Sequence, residues 1–172
     1  MTDHRYEPLA VSRTISASAG RLFTILKRTA NHPAFDGSGM VREPLPDVVL
    51  RGVGDVFSMG MYNDDMGEYE MRNRVVEYEE DRRLVWEPVL AATSRPDKVS
   101  EIGNSAHHRW GFELTPVGPD ATVVTETFDC TRSPQWLKEA TKGGETWVQA
   151  MTTSLQKLEA LATNRERPSR RA

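Results

Sequence analysis

The stretch from Ser133 to Ala162 constrains the fold more than any other part of the chain. Leu137, Ala140, Gly144, Trp147, Met151, Leu155, Leu158 and Ala162 recur at steps of three and four. That spacing puts them on one face of a 3.6-residue helix. Lys138, Glu139, Lys142, Glu145, Gln149, Gln156 and Lys157 fall between them and suit water. Ser133 predicts a hydroxyl N-cap, and Pro134 the first helical position, where a missing N–H costs nothing. Asn164 and Pro168 predict the stop. The expected element is one helix from Pro134 to Thr163, on the order of 40 Å long at the usual rise per residue. Gly143 and Gly144 interrupt it, each costing roughly 1 kcal/mol against alanine. A kink, a close approach by a ligand or strand, or plain local slack would each account for them.

A helix with one apolar face needs a surface to cover it, and the rest of the chain supplies strands. Leu9 to Ser16 alternates as a first strand. Ser18 predicts the cap of a helix from Ala19 to about Thr29, with Leu22, Phe23, Ile25 and Leu26 inward. Asn31-His32-Pro33 breaks it, and Ala34-Phe35 predicts a second short helical turn before the loop Asp36 to Gly39. From Met40 the period becomes two. Strands are expected over Met40–Glu43, Gly54–Tyr62, Glu68–Glu79 and Arg83–Glu87, with turn residues Asn63 to Gly67 closing a hairpin. A second hairpin joins Ala106–Thr115 to Ala121–Thr131. Pro88 to Asn104 is long and weakly patterned, as lids and binding loops often are. Strands without intervening crossover helices make this α+β, an antiparallel sheet with helices on one side.

Bulk properties remove several function classes. The 172 residues suit one domain, expected over 9–163, with flexible tails at 1–8 and 164–172. A net charge of -3 argues against a nucleic-acid partner. No apolar run approaches the roughly 20 residues that cross a bilayer, and the N-terminus lacks a signal-peptide pattern. Cys130 is the single cysteine, which excludes an internal disulfide and fits a cytoplasmic location. No cofactor motif and no metal-ligand spacing is present: His107 and His108 are adjacent and would face opposite ways on a strand, and Asp64-Asp65 reads as a solvated turn.

The order of these segments resembles a known family. A strand, then ISASAGRLFTILKRTANHPAFDGSG, a GVGDVF strand, VVEYEEDRRLVWEP, RWGFELTPVGPDATVVTETFD and a last long helix together resemble the START/polyketide-cyclase (SRPBCC, Bet v 1-like) superfamily from about Leu9 to Ala162. The resemblance implies a helix-grip fold: about seven antiparallel strands curl around the C-terminal helix, with two short helices after the first strand and an apolar cavity between helix and sheet. Phe35 departs from the pattern, since many relatives carry tryptophan there. Members bind lipids, sterols or hormones, cyclise or dehydrate polyketides, or act on chaperones and other proteins, so the fold is a prior and not a mechanism.

Strand alternation gives a candidate lining without reference to any family. On the first hairpin it turns Phe57, Met59, Met61, Tyr69, Met71 and Asn73 inward. Trp86 follows, then His108, Trp110, Phe112, Glu126 and Phe128 on the second hairpin, faced by Trp147 and Met151 from the helix. Aromatic and apolar walls with a few polar groups are the usual make-up of a small-molecule site, and the methionines would let it adapt to ligand shape. A solid core of the same residues is the alternative. Were Trp110 paired with Glu126 and His108 with Phe128, His108 and Glu126 would be diagonal neighbours, roughly 5–8 Å apart at Cβ. Such a pair could act as acid and base, or simply form a buried ion pair.

The expected function is binding of a hydrophobic or aromatic small molecule, of lipid or polyketide type. A cyclase or dehydratase using His108 and Glu126, or a module that docks on a protein, are the alternatives. No cofactor, metal or nucleic acid is expected as a partner, and a homodimer is left open.

Overall fold

The alternating segments become seven strands because each has one apolar face and one face that tolerates water. The structure is a computed structural model that describes residues 6–91 and 105–164. Its strands are β1 (Leu9–Ile15), β2 (Val41–Pro44), β3 (Val56–Asn63), β4 (Gly67–Glu79), β5 (Arg83–Leu90), β6 (Arg109–Gly118) and β7 (Ala121–Asp129). They form one antiparallel sheet in the order β1-β7-β6-β5-β4-β3-β2. Between β1 and β2 lie α1 (Ala19–Leu26), a 3₁₀ turn (Thr29–Asn31) and α2 (His32–Phe35). Ser18 caps α1 as expected, its Oγ accepting from the Arg21 N–H at 3.2 Å. The helix stops at Leu26, three residues short of the expected end, and Pro33 sits in the first turn of α2.

The C-terminal segment corrects the expectation of one continuous helix. It divides into α3 (Gln135–Ala140), a 3₁₀ stretch (Lys142–Trp147) and α4 (Val148–Thr163). Pro134 is itself the N-cap residue of α3, and Ser133 makes no capping bond. The break lies at the two glycines, with φ of +67° at Gly143 and +107° at Gly144. Side chains rarely adopt such angles. Packing explains the second absence of a side chain as well: a Cβ on Gly144 would lie 2.8 Å from the Phe128 ring and 3.1 Å from Leu9 Cβ. Kink and close approach therefore both apply, and local slack does not. Asn164 does end α4, donating its N–H to the Ala160 carbonyl.

α4 lies across the concave face of the sheet, held by polar clamps at its edges. Arg13 on β1 reaches Glu159 through two hydrogen bonds of 2.9 and 3.2 Å. Arg21 Nε donates to the Ala162 carbonyl, where the unpaired carbonyls of a helix C-terminus accept readily. Lys157 Nζ donates to the Asp36 carbonyl, and the Gly37 N–H donates to Ser154 Oγ at 2.8 Å. Gly37 has no room for a side chain there: a Cβ would fall 2.0 Å from the Ala150 carbonyl oxygen.

The apolar face of α4 splits into two halves. Leu155, Leu158 and Ala162 bury themselves in a filled core with Ile15, Leu22, Phe23, Leu26, Leu84, Leu114 and Val124. Met151 belongs to a second cluster with Phe128 and Cys130, against which Tyr6, Leu9, Trp110 and Trp147 pack. α1 therefore plugs one end of the sheet, and among the described residues no helix of comparable length plugs the other.

Strand boundaries also differ from expectation: β3 starts at Val56 and not Gly54, β6 runs past Thr115 to Gly118, and β7 ends at Asp129 and not Thr131. β5 continues through Pro88 to Leu90, residues expected in a loop. β6 begins at Arg109 and not at Ala106, so Ala106 to His108 precede the strand. The remainder of the expected loop, 92–104, and most of the expected tails, 1–5 and 165–172, lie outside the described residues. Tyr6, placed by expectation in the N-terminal tail, packs against Gly143.

Replacing Gly144 by alanine combines a strained backbone with two steric conflicts. It is expected to cost about 2–4 kcal/mol, lowering the melting temperature by roughly 5–15 °C. Gly52→Ala, whose Cβ meets nothing within 4 Å, is the matched control and should change little. Equal melting temperatures for the two variants would show that the break is slack.

Candidate ligand cavity

Under the N-terminal half of α4, the space that α1 does not reach forms a cavity of about 380 Å³. Sheet and helix both supply its wall. Every inward-facing residue expected from alternation lies on it: Phe57, Met59 and Met61 from β3; Tyr69, Met71 and Asn73 from β4; Trp86 from β5. Trp110 and Phe112 come from β6, Glu126 and Phe128 from β7, and His108 from the segment before β6. Trp147 and Met151 close the helix side, with Met151 only 1% exposed. The alternative, a solid core of the same residues, does not hold at this end of the sheet.

Sequence reasoning missed part of the wall. His32 and Phe35 of α2, Asp36, Ser38 and Met40 of the following loop, and Leu137, Thr141, Ala150 and Ser154 of the C-terminal segment also line the cavity. Val41, Met66, Pro88 and Leu90 complete the lining among the described residues. Most of these come from short helices and loops, where no period marks a face. The small residues Ala150 and Ser154 follow Trp147 and Met151 at helical spacing, which is the one signal that was available for them.

Aromatic rings build the wall in two groups, one at each end. Trp86 packs tilted on Phe112 at 6.1 Å between centroids and edge-on to Phe57 at 5.8 Å. Phe35 meets Phe112 edge-on at 5.9 Å, the position where relatives were expected to carry tryptophan. At the other end Phe128 contacts Trp110 at 4.8 Å, and Trp110 meets Trp147 edge-on at 5.6 Å. Offset and edge-to-face contacts of this kind stabilise rings beyond their buried area and hold the wall in one shape.

The second hairpin pairs two residues away from the expected register. Trp110 lies opposite Phe128, and Phe112 lies opposite Glu126. A shift of two preserves the face, so the inward set survives, but the partners change. His108 stands ahead of the strand, stacked against Phe128 at 5.8 Å. No hydrogen bond or ion pair joins His108 to Glu126, so neither the acid–base pair nor the buried ion pair weighed for them is formed. Glu126 Oε2 and His108 Nδ1 are each buried without a partner.

Burial sets the charge of this wall. Glu126, 7% exposed, has its carboxyl pushed up to about 8 by desolvation, with the nearby charge of Asp36 adding to the rise. His108 is lowered to about 4 by burial, opposed in part by Glu87. His32 is likewise lowered to about 4 by burial, although its Nε2 contacts the Leu26 carbonyl at 2.7 Å. With that nitrogen donating, the neutral ring has its lone pair on Nδ1. Burial also raises the Tyr69 hydroxyl. At neutral pH Glu126 is mostly protonated and both histidines are uncharged. Among the described residues no group of three or more His, Cys, Asp or Glu side chains is arranged to hold a metal ion, and no described helix is long and apolar enough to cross a membrane.

Comparison with known proteins agrees with this architecture. A family model described as activator of Hsp90 ATPase homolog 1-like protein matches residues 16–163. No curated protein matches the sequence. Among solved structures, protein Ms6760 from Mycobacterium smegmatis superposes with a TM-score of 0.65 at 14% identity, over 92% of this chain and 92% of that one. Protein CV1439 from Chromobacterium violaceum gives 0.64 at 15% identity, over 91% and 97%. Truncated norcoclaurine synthase from Thalictrum flavum gives 0.59 at 14% identity, over 93% and 95%. Identities this low speak to the fold alone.

The three buried groups give stability a defined pH dependence. The folded chain keeps the Glu126 proton up to about pH 8, whereas the unfolded chain loses it near 4.5. Stability therefore falls as pH rises through that interval. His32 and His108 act in the opposite sense between about 4 and 6.5, where the unfolded chain binds the extra protons. Above pH 6.5 the Glu126 contribution stands unopposed by them. Denaturant titrations are expected to show a loss of roughly 1–2 kcal/mol between pH 6.5 and 8 that Glu126→Gln removes. A wild-type profile flat over that range would contradict the burial of this carboxyl in protonated form.

Proposed function

The chain belongs to the activator of Hsp90 ATPase homolog 1-like family, within the SRPBCC superfamily, and from that premise we propose that it binds a hydrophobic or aromatic small molecule of lipid or polyketide type in the cavity between sheet and helix. The cavity itself carries the reading. Its volume of about 380 Å³ falls in the range of small-molecule sites, and its wall joins aromatic and methionine side chains to a few polar groups. The four wall methionines of β3, β4 and α4 (Met59, Met61, Met71 and Met151) can repack around ligands of different outline. The fold commonly serves hydrophobic ligands, and a norcoclaurine synthase of the same fold has been solved in complex with dopamine and hydroxybenzaldehyde. A cytoplasmic site of action agrees with the single, unpaired Cys130.

Carriage is favoured over catalysis because a cyclase or dehydratase mechanism would rest on His108 and Glu126 acting together. They share a cavity but no hydrogen bond, and each keeps a buried polar atom without a partner. The protein-docking alternative has its own apolar surface in exposed Leu45, Val49, Val53 and Val56, between the end of β2 and the start of β3.

Native mass spectrometry of protein purified without added ligand is the direct test, and a co-purified lipophile is the expected result. The uncharged dye 1-N-phenylnaphthylamine is expected to bind as well, with Ala150→Phe, which places a ring in the cavity, weakening it about tenfold or more, equivalent to ~1.4 kcal/mol. An empty protein that ignores the dye but captures another polypeptide would overturn the reading in favour of protein docking.

A further inference from the structure

Among the described residues, four buried side-chain polar atoms have no hydrogen-bond partner, and three of them belong to residues that line this one cavity: Glu126 Oε2, His108 Nδ1 and Trp147 Nε1. Folded proteins leave few such atoms, because an unpaired buried donor or acceptor forfeits its bond to water with nothing in return. The three gather around one ring. Phe128 has the His108 imidazole at 5.8 Å and the Trp147 indole at 6.4 Å from its centroid. Glu126 precedes Phe128 by two residues on the same face of β7.

Resting on the binding reading above, we propose that this cavity selects uncharged hydroxylated aromatic molecules, the phenol class, over plain hydrocarbons and over lipids that carry a carboxylate or phosphate. The indole N–H of Trp147 can only donate and needs an oxygen. A ligand hydroxyl accepts that bond and still has a proton to give to His108 Nδ1 or Glu126 Oε2. A trapped water offers the same pattern, so a hydroxyl that displaces it restores the bonds, whereas a hydrocarbon does not. The flat faces of Trp110, Phe128 and Trp86 receive the ring. Charge argues in the same direction. The described wall contains no lysine or arginine, while Asp36 contributes a carboxylate. An anionic headgroup therefore finds no counter-charge and meets like charge. The protonated state of Glu126 and the neutral state of both histidines keep the remaining wall uncharged at neutral pH.

Four probes on one skeleton test the assignment at pH 7 by calorimetry or by quenching of the cavity tryptophans: naphthalene, 2-naphthol, 2-naphthoate and 2-naphthylmethylammonium. The naphthol is expected to bind at least about tenfold more tightly than each of the other three. In Trp147→Phe, which keeps a ring and loses the N–H, the naphthol-to-naphthalene ratio should fall several-fold. Naphthalene binding as tightly as naphthol, or either charged probe binding more tightly, overturns the ligand class and leaves the binding cavity standing. Failure of all four probes together with 1-N-phenylnaphthylamine overturns the cavity reading as well.

Discussion

The packing of α4 across the concave face of the sheet is the contact on which the rest of the structure depends. Seven strands offer an apolar face far wider than a helix of 16 residues can cover. Burial of Leu155 and Leu158 with the α1 core anchors the C-terminal half, where each fully buried leucine contributes roughly 1.5–3 kcal/mol. The N-terminal half cannot be buried in the same way, because α2 is a single turn and brings only His32 and Phe35 to the wall. One end of the grip becomes solid and the other stays open.

The Gly143–Gly144 break sets the shape of the open end. It turns the segment before α4 so that Trp147 meets Trp110 and Phe128 while Leu137 and Thr141 reach the cavity from α3 and its C-terminal boundary. A straight helix would carry those residues away from the sheet along its own axis. Close contact of the second glycine with Leu9 and Phe128 means that the break is itself part of the packing. Clamps at Arg13–Glu159, Arg21–Ala162 and Gly37–Ser154 then hold the helix at a fixed height above the strands. The cost of this arrangement appears in the unpaired polar atoms and the protonated carboxyl, since fold stability alone would favour a filled, apolar end. Sites that sacrifice stability in this way are where function is expected.

Much of this was legible in the sequence, and the limits have physical causes. Alternation in β3, β4, β5, β6 and β7 identified which side chains face inward, because the face of a strand depends only on its period of two. Register was not legible: moving Glu126 from Trp110 to Phe112 leaves both on the same face, so pattern cannot distinguish the pairings. His108 illustrates the same limit. It reaches the cavity although it precedes the strand, through a backbone that takes a positive φ at His107. Gly143 and Gly144 were visible as an interruption, yet only the neighbouring Phe128 and Tyr6 rings show why no side chain fits. His32 read as part of a helix break. Its role in the wall follows from the tertiary position of α2 and from stacking with Phe35, Phe57 and Trp86, none of which has a local signature.

Everything functional rests on the cavity being an open, apolar space beneath Trp147 and Met151. Diffraction from a crystal pressurised with xenon measures that directly, since the gas collects in dry apolar cavities and not in close-packed cores. Xenon density between Met151 and the Trp86–Phe112 wall, with the side chains unmoved, is the expected result. Side chains from α4 and β6 meeting across that space, with no xenon between them, would contradict it.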